Sequence, residues 1–314
     1  MQLQYMTNDE CRSDFRVDLA DLAVLAEALR IPEKFVCPNR TVATGMEGLC
    51  VALRRFAYPC RFSDMIPRFG RSVSELCLIA SEVTDHIYNT HGYLLTDLNQ
   101  PWLHPDRLQE YANAVHDAGG ALENCWGFVD GTVRPICRPG ENQRVMYNGH
   151  KRIHAIKFQS VVAPNGLIAN LYGPIEGKRH DAGMLRMSGL LDQLDQHCNT
   201  PLGDPLCIYG DPAYPLRRHL QKPYQHPNLD ERQLEFNRSM SSVRVSVEWV
   251  FGDIINYFKF MDFKKNLKIG LSAVGKMYSV CALLRNALTC LYGSTTSSYF
   301  GVDPPTLQEY YQLN

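Results

Sequence analysis

The chain has 314 residues, 45% of them hydrophobic and 21% charged, and a formal net charge of −1. Those proportions exclude a disordered or fibrous chain and suit a globular protein with room for a helical module beside a second domain. No run reaches the roughly 18 apolar residues of a membrane span, and the N-terminus lacks a basic-then-apolar signal, so a cytosolic or nuclear setting is expected.

The first third reads as helical. Leu19–Leu29 is a strong helix former with apolar spacing near 3.6, stopped by Pro32. Helices are predicted over Gly45–Phe56, Arg61–Phe69 and Ser72–Tyr88, the last capped by Ser72 or Ser74 with acids behind it. A short helix, a glycine turn and a longer capped helix form the outline of a helix-turn-helix, whose second helix can enter a DNA major groove. Any three-helix packing module has the same outline. Leu94–Ala118 reads as a loop and a further helix, punctuated by Pro101 and Pro105.

From Cys125 the pattern becomes strand-like. Strands are predicted over Cys125–Asp130, Val133–Cys137, Ala155–Ala163 and Gly166–Tyr172, the last two joined by the hairpin signal Pro164-Asn165-Gly166. A helix over Asp181–Gln196, a buried strand over Pro205–Gly210, and helices over Met240–Phe258 and Ser272–Leu291 follow. The polar stretch after Gly293 is expected to be mobile. The expected organisation is a helical region over 1–118, an α/β domain with a mixed sheet flanked by helices over 125–291, and a tail over 292–314.

The eleven cysteines are odd in number and contain no Cys-x-x-Cys pair, which favours free buried thiols over disulfides or zinc. The near-neutral total hides an uneven charge. Asn237–Lys276 carries seven Lys or Arg against three acids, whereas the first thirty residues carry six acids against three Arg. A local basic face can bind phosphate whatever the overall charge.

Three acids stand out. Asp130 ends an apolar run in Phe-Val-Asp-Gly-Thr, Asp211 ends another in Ile-Tyr-Gly-Asp-Pro-Ala-Tyr, and Glu248 lies in Val-Ser-Val-Glu-Trp-Val-Phe-Gly. Taken singly, the first two read as turn aspartates and the third as the partner of Arg244 one helical turn earlier. Taken together, buried carboxylates need a cation, and paired divalent ions are a chemical answer that cuts phosphodiesters. The apolar neighbours of Glu248 suggest a largely buried helix. Asp181 is the rival to Asp211 as second ligand, with a helix N-cap as its plainer reading.

The ordered set Val129-Asp130-Gly131-Thr132, Tyr147–Gln159, Gly173–Asp181, Gly210–Tyr214 and Arg244–Gly252 resembles the DDE endonuclease domain of PIF/Harbinger-type transposases and the nucleases domesticated from them. The resemblance implies a ribonuclease H-like domain with Asp130, Asp211 and Glu248 as a Mg²⁺- or Mn²⁺-binding catalytic triad. It implies cleavage of DNA, with joining of the freed 3′ end to target DNA. It further implies a separate Myb-like DNA-binding partner and a nuclear setting reached with that partner, with the cytoplasm as an additional location. A homodimer is expected because joining unites two DNA ends. Lys151, Arg152, Lys157, Lys178, Arg179, Arg244, Lys264 and Lys265 are the candidate phosphate contacts, with Lys268 beside the last pair. His150 and His154 are expected to face DNA or to pack. The rival readings are a domesticated, non-catalytic DNA-binding or adaptor protein on the same scaffold, and an RNA-directed nuclease.

Overall fold

A computed structural model describes residues 3–313. The N-terminal region contains α1 (Asn8–Phe15), α2 (Asp21–Ala28), an antiparallel ribbon of β1 (Lys34–Val36) and β2 (Val42–Thr44), then α3 (Gly45–Ala57), α4 (Phe62–Phe69), α5 (Val73–His91) and α6 (Pro105–Asp117). Local chemistry sets these boundaries. Ser72 and Glu75 form a reciprocal capping box at the start of α5, and Thr7 with Glu10 does the same for α1. The α4–turn–α5 arrangement places Glu75, Glu82 and Asp85 on α5, which contains no Lys or Arg. One side of α5, with Leu76, Ile79, Val83 and Ile87, is buried, and the helix packs against α3 and the C-terminal helix α11 (Val274–Tyr292).

The mixed sheet flanked by helices expected from the sequence is present. Its strands are β3 (Cys125–Pro135), β5 (Ile153–Val162), β6 (Ile168–Glu176), β7 (Cys207–Tyr209) and β8 (Leu220–Gln221), in the order β6-β5-β3-β7-β8. The pairs β3–β5 and β5–β6 are antiparallel, whereas β3–β7 and β7–β8 are parallel. A short β4 (Tyr147–Asn148), preceded by the one-turn α7 (Gln143–Met146), pairs with the start of β5. Between β6 and β7 lie α8 (Asp181–Ser188) and α9 (Leu190–His197). The long α10 (Glu231–Tyr257) then crosses β3 and β5, and the chain closes through α11, α12 (Thr295–Phe300) and α13 (Leu307–Tyr311).

Three expectations are corrected. The two strands read over 125–130 and 133–137 are one strand, because antiparallel pairing with β5 runs unbroken from Phe128 to Pro135 through Gly131. The helix read over 181–196 is two, broken where Gly189 adopts a positive φ of 66°. The supposedly mobile tail is folded: Phe300, Tyr310 and Tyr311 are buried, and the Tyr310 hydroxyl accepts a hydrogen bond from Asn286 of α11. Aromatic side chains supply the apolar surface that holds this polar stretch in place.

One hydrophobic core runs from Met6 to Tyr311 through both the helical region and the sheet. The cysteines among the described residues are free, and most are buried. No helix of the described residues is long and apolar enough to cross a membrane.

Candidate active site

The register of two parallel strands builds the centre of the site. Phe128 of β3 lies opposite Tyr209 of β7. Parallel neighbours are about 4.8 Å apart, so two residues farther on Asp130 and Asp211 leave adjacent strands side by side. This is the carboxyl end of the parallel pair, where open sheets present ligand-binding groups.

Each aspartate is fixed locally. The Gly131 N–H donates to Asp130 Oδ1 at 2.7 Å. The Ala213 N–H donates to Asp211 Oδ1 at 3.0 Å in an Asx turn that Pro212 helps to set. Gly210 makes the turn compact: a Cβ there would lie 2.7 Å from the Tyr214 ring and 2.9 Å from Val129. Tyr214 is therefore drawn beneath the carboxylates. It is 1% exposed, and its hydroxyl has no hydrogen-bond partner among the described residues. Burial, then the charges of Asp181, Asp130 and Asp211, hold that hydroxyl well above its ordinary pKa.

Two basic side chains meet the acids from opposite faces of the sheet. Successive strand residues alternate in direction, so Asp130 and Gly131 face different ways. On one face, Arg244 of α10 donates to Asp130 Oδ2 at 3.2 Å. On the other, the Asp181 carboxylate lies where a Cβ on Gly131 would be, 2.5 Å from its Oδ1. Lys157 of β5 donates to Asp181 at 2.6 Å and to the Arg179 carbonyl at 2.9 Å. Lys157 is 6% exposed and lies in the core side of the site.

Burial acts on both strand-end aspartates. Burial raises the Asp130 carboxyl to about 6. Arg244 and the Gly131 N–H oppose that shift, while the charges of Asp211 and Glu248 add to it. Burial likewise raises Asp211, where the Asp181 charge pushes up and Arg244 and Lys157 pull down. Asp211 forms no ion pair among the described residues, whereas Asp181 has a buried lysine at contact distance. This difference makes Asp211 the more available of the two rival carboxylates.

Glu248 lies on α10 one turn after Arg244, close enough for its charge to act on Asp130. The expectation of a largely buried helix around it is only half met. Met240, Val243, Val247, Val250 and Ile254 form the buried stripe, while Glu248 and Val245 are exposed. Arg244 pairs with Asp130 of β3, not with Glu248, so the intrahelical pair read from the sequence is absent among the described contacts.

The candidate phosphate contacts divide into groups. Lys151, Arg152, Lys178, Lys264, Lys265 and Lys268 are exposed. Arg179 is half-buried and lies 3.4 Å from Glu176. Lys157 and Arg244 are committed to Asp181 and Asp130. His150 is exposed, and His154 packs edge-on against Tyr147. The roles of Lys157 and Tyr214 as close neighbours of the acids escaped sequence reasoning. The Gly-Asp-Pro-Ala-Tyr turn was an available signal for Tyr214, whereas Lys157 meets Asp181 only through tertiary packing.

Among the described residues no group of three or more His, Cys, Asp or Glu side chains is placed to hold a metal ion. The oxygen-only donors of Asp130 and Asp211 nevertheless fit Mg²⁺, which keeps waters and is commonly bound through one or two carboxylates plus substrate phosphates. Burial raises both carboxyls, and the buried Tyr214 hydroxyl lacks a hydrogen-bond partner among the described residues. No curated protein and no solved structure matches the chain. The family described as DDE superfamily endonuclease matches residues 129–286, a segment that holds Asp130, Asp181, Asp211 and Glu248 together with the sheet that positions them. With half of its length matched in this way, the chain belongs to the DDE superfamily endonuclease family.

Proposed function

We propose that the protein is a divalent-metal-dependent DNA endonuclease of the PIF/Harbinger transposase type, built on a ribonuclease H-like domain over 125–291. The sheet order supports that fold, with the first acid on its first strand, the second after β7, and the third on a later helix. The observation that carries the function is the in-register exit of Asp130 and Asp211 from β3 and β7, with Glu248 near enough to raise the Asp130 carboxyl.

In this reading Asp130 and Asp211 hold the metal and Glu248 completes the set from α10. Bound there, Mg²⁺ or Mn²⁺ supplies an attacking hydroxide at neutral pH and stabilises the leaving 3′-oxygen. Lys157 neutralises Asp181 and keeps that carboxylate against Gly131, which leaves Asp211 as second ligand. The exposed Lys151, Arg152, Lys178, Lys264 and Lys265, with Arg179, hold the DNA backbone through salt-sensitive phosphate contacts. Helix α5, with three acids and no Lys or Arg, is poorly suited to enter a groove. The helical region over 1–118 therefore supports the catalytic domain, and a separate Myb-like protein finds the DNA ends. Joining of 3′ ends, a homodimer and a nuclear setting complete the proposal.

The test is nicking of supercoiled plasmid in Mg²⁺ or Mn²⁺. Wild type is expected to nick, and Asp130→Asn, Asp211→Asn and Glu248→Gln are each expected to lose at least about a hundredfold. Full nicking by all three variants would sink the reading. The Arg244–Asp130 pair gives the adaptor reading its one support, since the site is partly compensated without metal. DNA binding with no divalent-ion dependence would favour that alternative.

A further inference from the structure

The two cations of the site are held differently. Lys157 is buried and satisfied twice, by the Asp181 carboxylate and the Arg179 carbonyl. Arg244 touches Asp130 through Nη1 alone, its side chain is 22% exposed, and its other guanidinium N–H groups have no protein acceptor among the described residues. Lys157 is thus a fixed part of the wall, and Arg244 is a cation with unused donors at the mouth of the site.

A guanidinium offers a planar fork that matches a phosphate with two parallel hydrogen bonds, which a single Nη1 contact to Asp130 does not exploit. A divalent ion on Asp130 would stand against the same positive group and repel it. Arg244 is partly exposed and lies one turn before exposed Glu248 on α10, beside exposed Val245, so its side chain borders solvent. Asp211 has no ion pair among the described residues and is held instead by the Ala213 N–H.

We propose that Arg244 is a positioning residue that trades Asp130 for a DNA phosphate, so that divalent metal and the DNA backbone bind cooperatively through one guanidinium. Without DNA, Arg244 competes with metal for Asp130. With DNA, the phosphate holds Arg244 and Asp130 is freed. Linkage makes the effect reciprocal: metal tightens DNA by the factor that DNA tightens metal. This inference rests on the nuclease reading above.

The experiment measures Mn²⁺ binding to the full chain by electron paramagnetic resonance, with and without a short non-cleavable DNA duplex. Asp211→Asn serves as the blank for Mn²⁺ held by DNA alone. Wild type is expected to gain roughly 5- to 100-fold in Mn²⁺ affinity when DNA is present. Arg244→Gln is expected to bind Mn²⁺ more tightly than wild type without DNA and to lose most of the gain. Arg244→Lys, which keeps the charge but not the fork, is expected to fall between them, and it serves alone if Arg244→Gln does not fold. Wild-type coupling in these variants overturns the inference while leaving the nuclease reading intact. Absence of any Asp211-dependent Mn²⁺ binding by wild type, with or without DNA, overturns both.

Discussion

Lys157 and Asp130 show how residues of one site bear opposite costs. Lys157 and Asp181 are a partly buried pair, 7% and 23% exposed at the side chain. Removing one member of such a pair leaves an uncompensated charge, which costs roughly 3–5 kcal/mol. Lys157→Met is therefore expected to lower the denaturation midpoint sharply, and adding Asp181→Asn should recover much of the loss. A stable Lys157→Met protein with weakened DNA binding would instead make Lys157 a phosphate contact. Asp130 behaves in the other sense. Its folded-state carboxyl, near 6, holds a proton more tightly than the unfolded carboxyl near 3.9. The stability this contributes is present below about pH 4 and is lost as pH rises through 6. That difference corresponds to at most about 3 kcal/mol, and loss of the Arg244 pair takes back part of it. In a chelator, Asp130→Asn is expected to be about 1–2 kcal/mol more stable than wild type at pH 7, with the gap closing towards pH 4. A gap that widens on acidification would contradict the assignment.

At the scale of elements, a single side chain of α11 satisfies the backbone at the start of β6, whose strand otherwise pairs with β5. Asn286 accepts from the Ile168 N–H at 3.0 Å and donates to the Ile168 carbonyl at 3.0 Å and to the Tyr310 hydroxyl at 2.8 Å. It is fully buried, so truncation leaves two backbone groups without water or partner. Asn286→Ala is expected to cost about 3 kcal/mol in chemical denaturation, and a loss below about 1 kcal/mol would show that α13 or solvent fills the gap. This scale also shows where the sequence is legible. The Pro164-Asn165-Gly166 hairpin and the α5 cap are local signals, and both are found where they are read. The β1–β2 ribbon has three-residue strands with alternating exposure, too short to carry a period. Asp130 and Asp211 were legible because each ends an apolar run. Arg244 and Asp130 are 114 residues apart, and Lys157 and Asp181 are joined only by the packing of α8 on β5, so neither pairing has a local trace. The exposure of Glu248 was hidden by Val247 and Val250, which belong to the buried stripe of α10.

At the scale of the whole molecule, the helical region and the sheet share one core. Helix α6 packs on β3, α5 on α11, and α3 on the turn Lys259–Asp262 that follows α10. Polar contacts reinforce the join: Arg16 donates to the Tyr257 carbonyl, and the Tyr292 hydroxyl bridges the Asp18 N–H and the Asp21 carboxylate. Lys276 of α11 pairs with Asp85 of α5. A catalytic fragment beginning at residue 119 would expose the surfaces of β3 and α11 that α5 and α6 now cover. Such surface weighs at about 25 cal/mol per Å², so loss of even a few hundred Å² of burial rivals the usual net stability of a domain. The full chain is therefore expected to unfold in one calorimetric transition, with the 119–314 fragment showing no cooperative transition and binding a hydrophobic dye. Two resolved transitions in the full chain, or a fragment that melts cooperatively and nicks DNA, would show that the sheet holds Asp130, Asp211 and Glu248 in place without its helical partner.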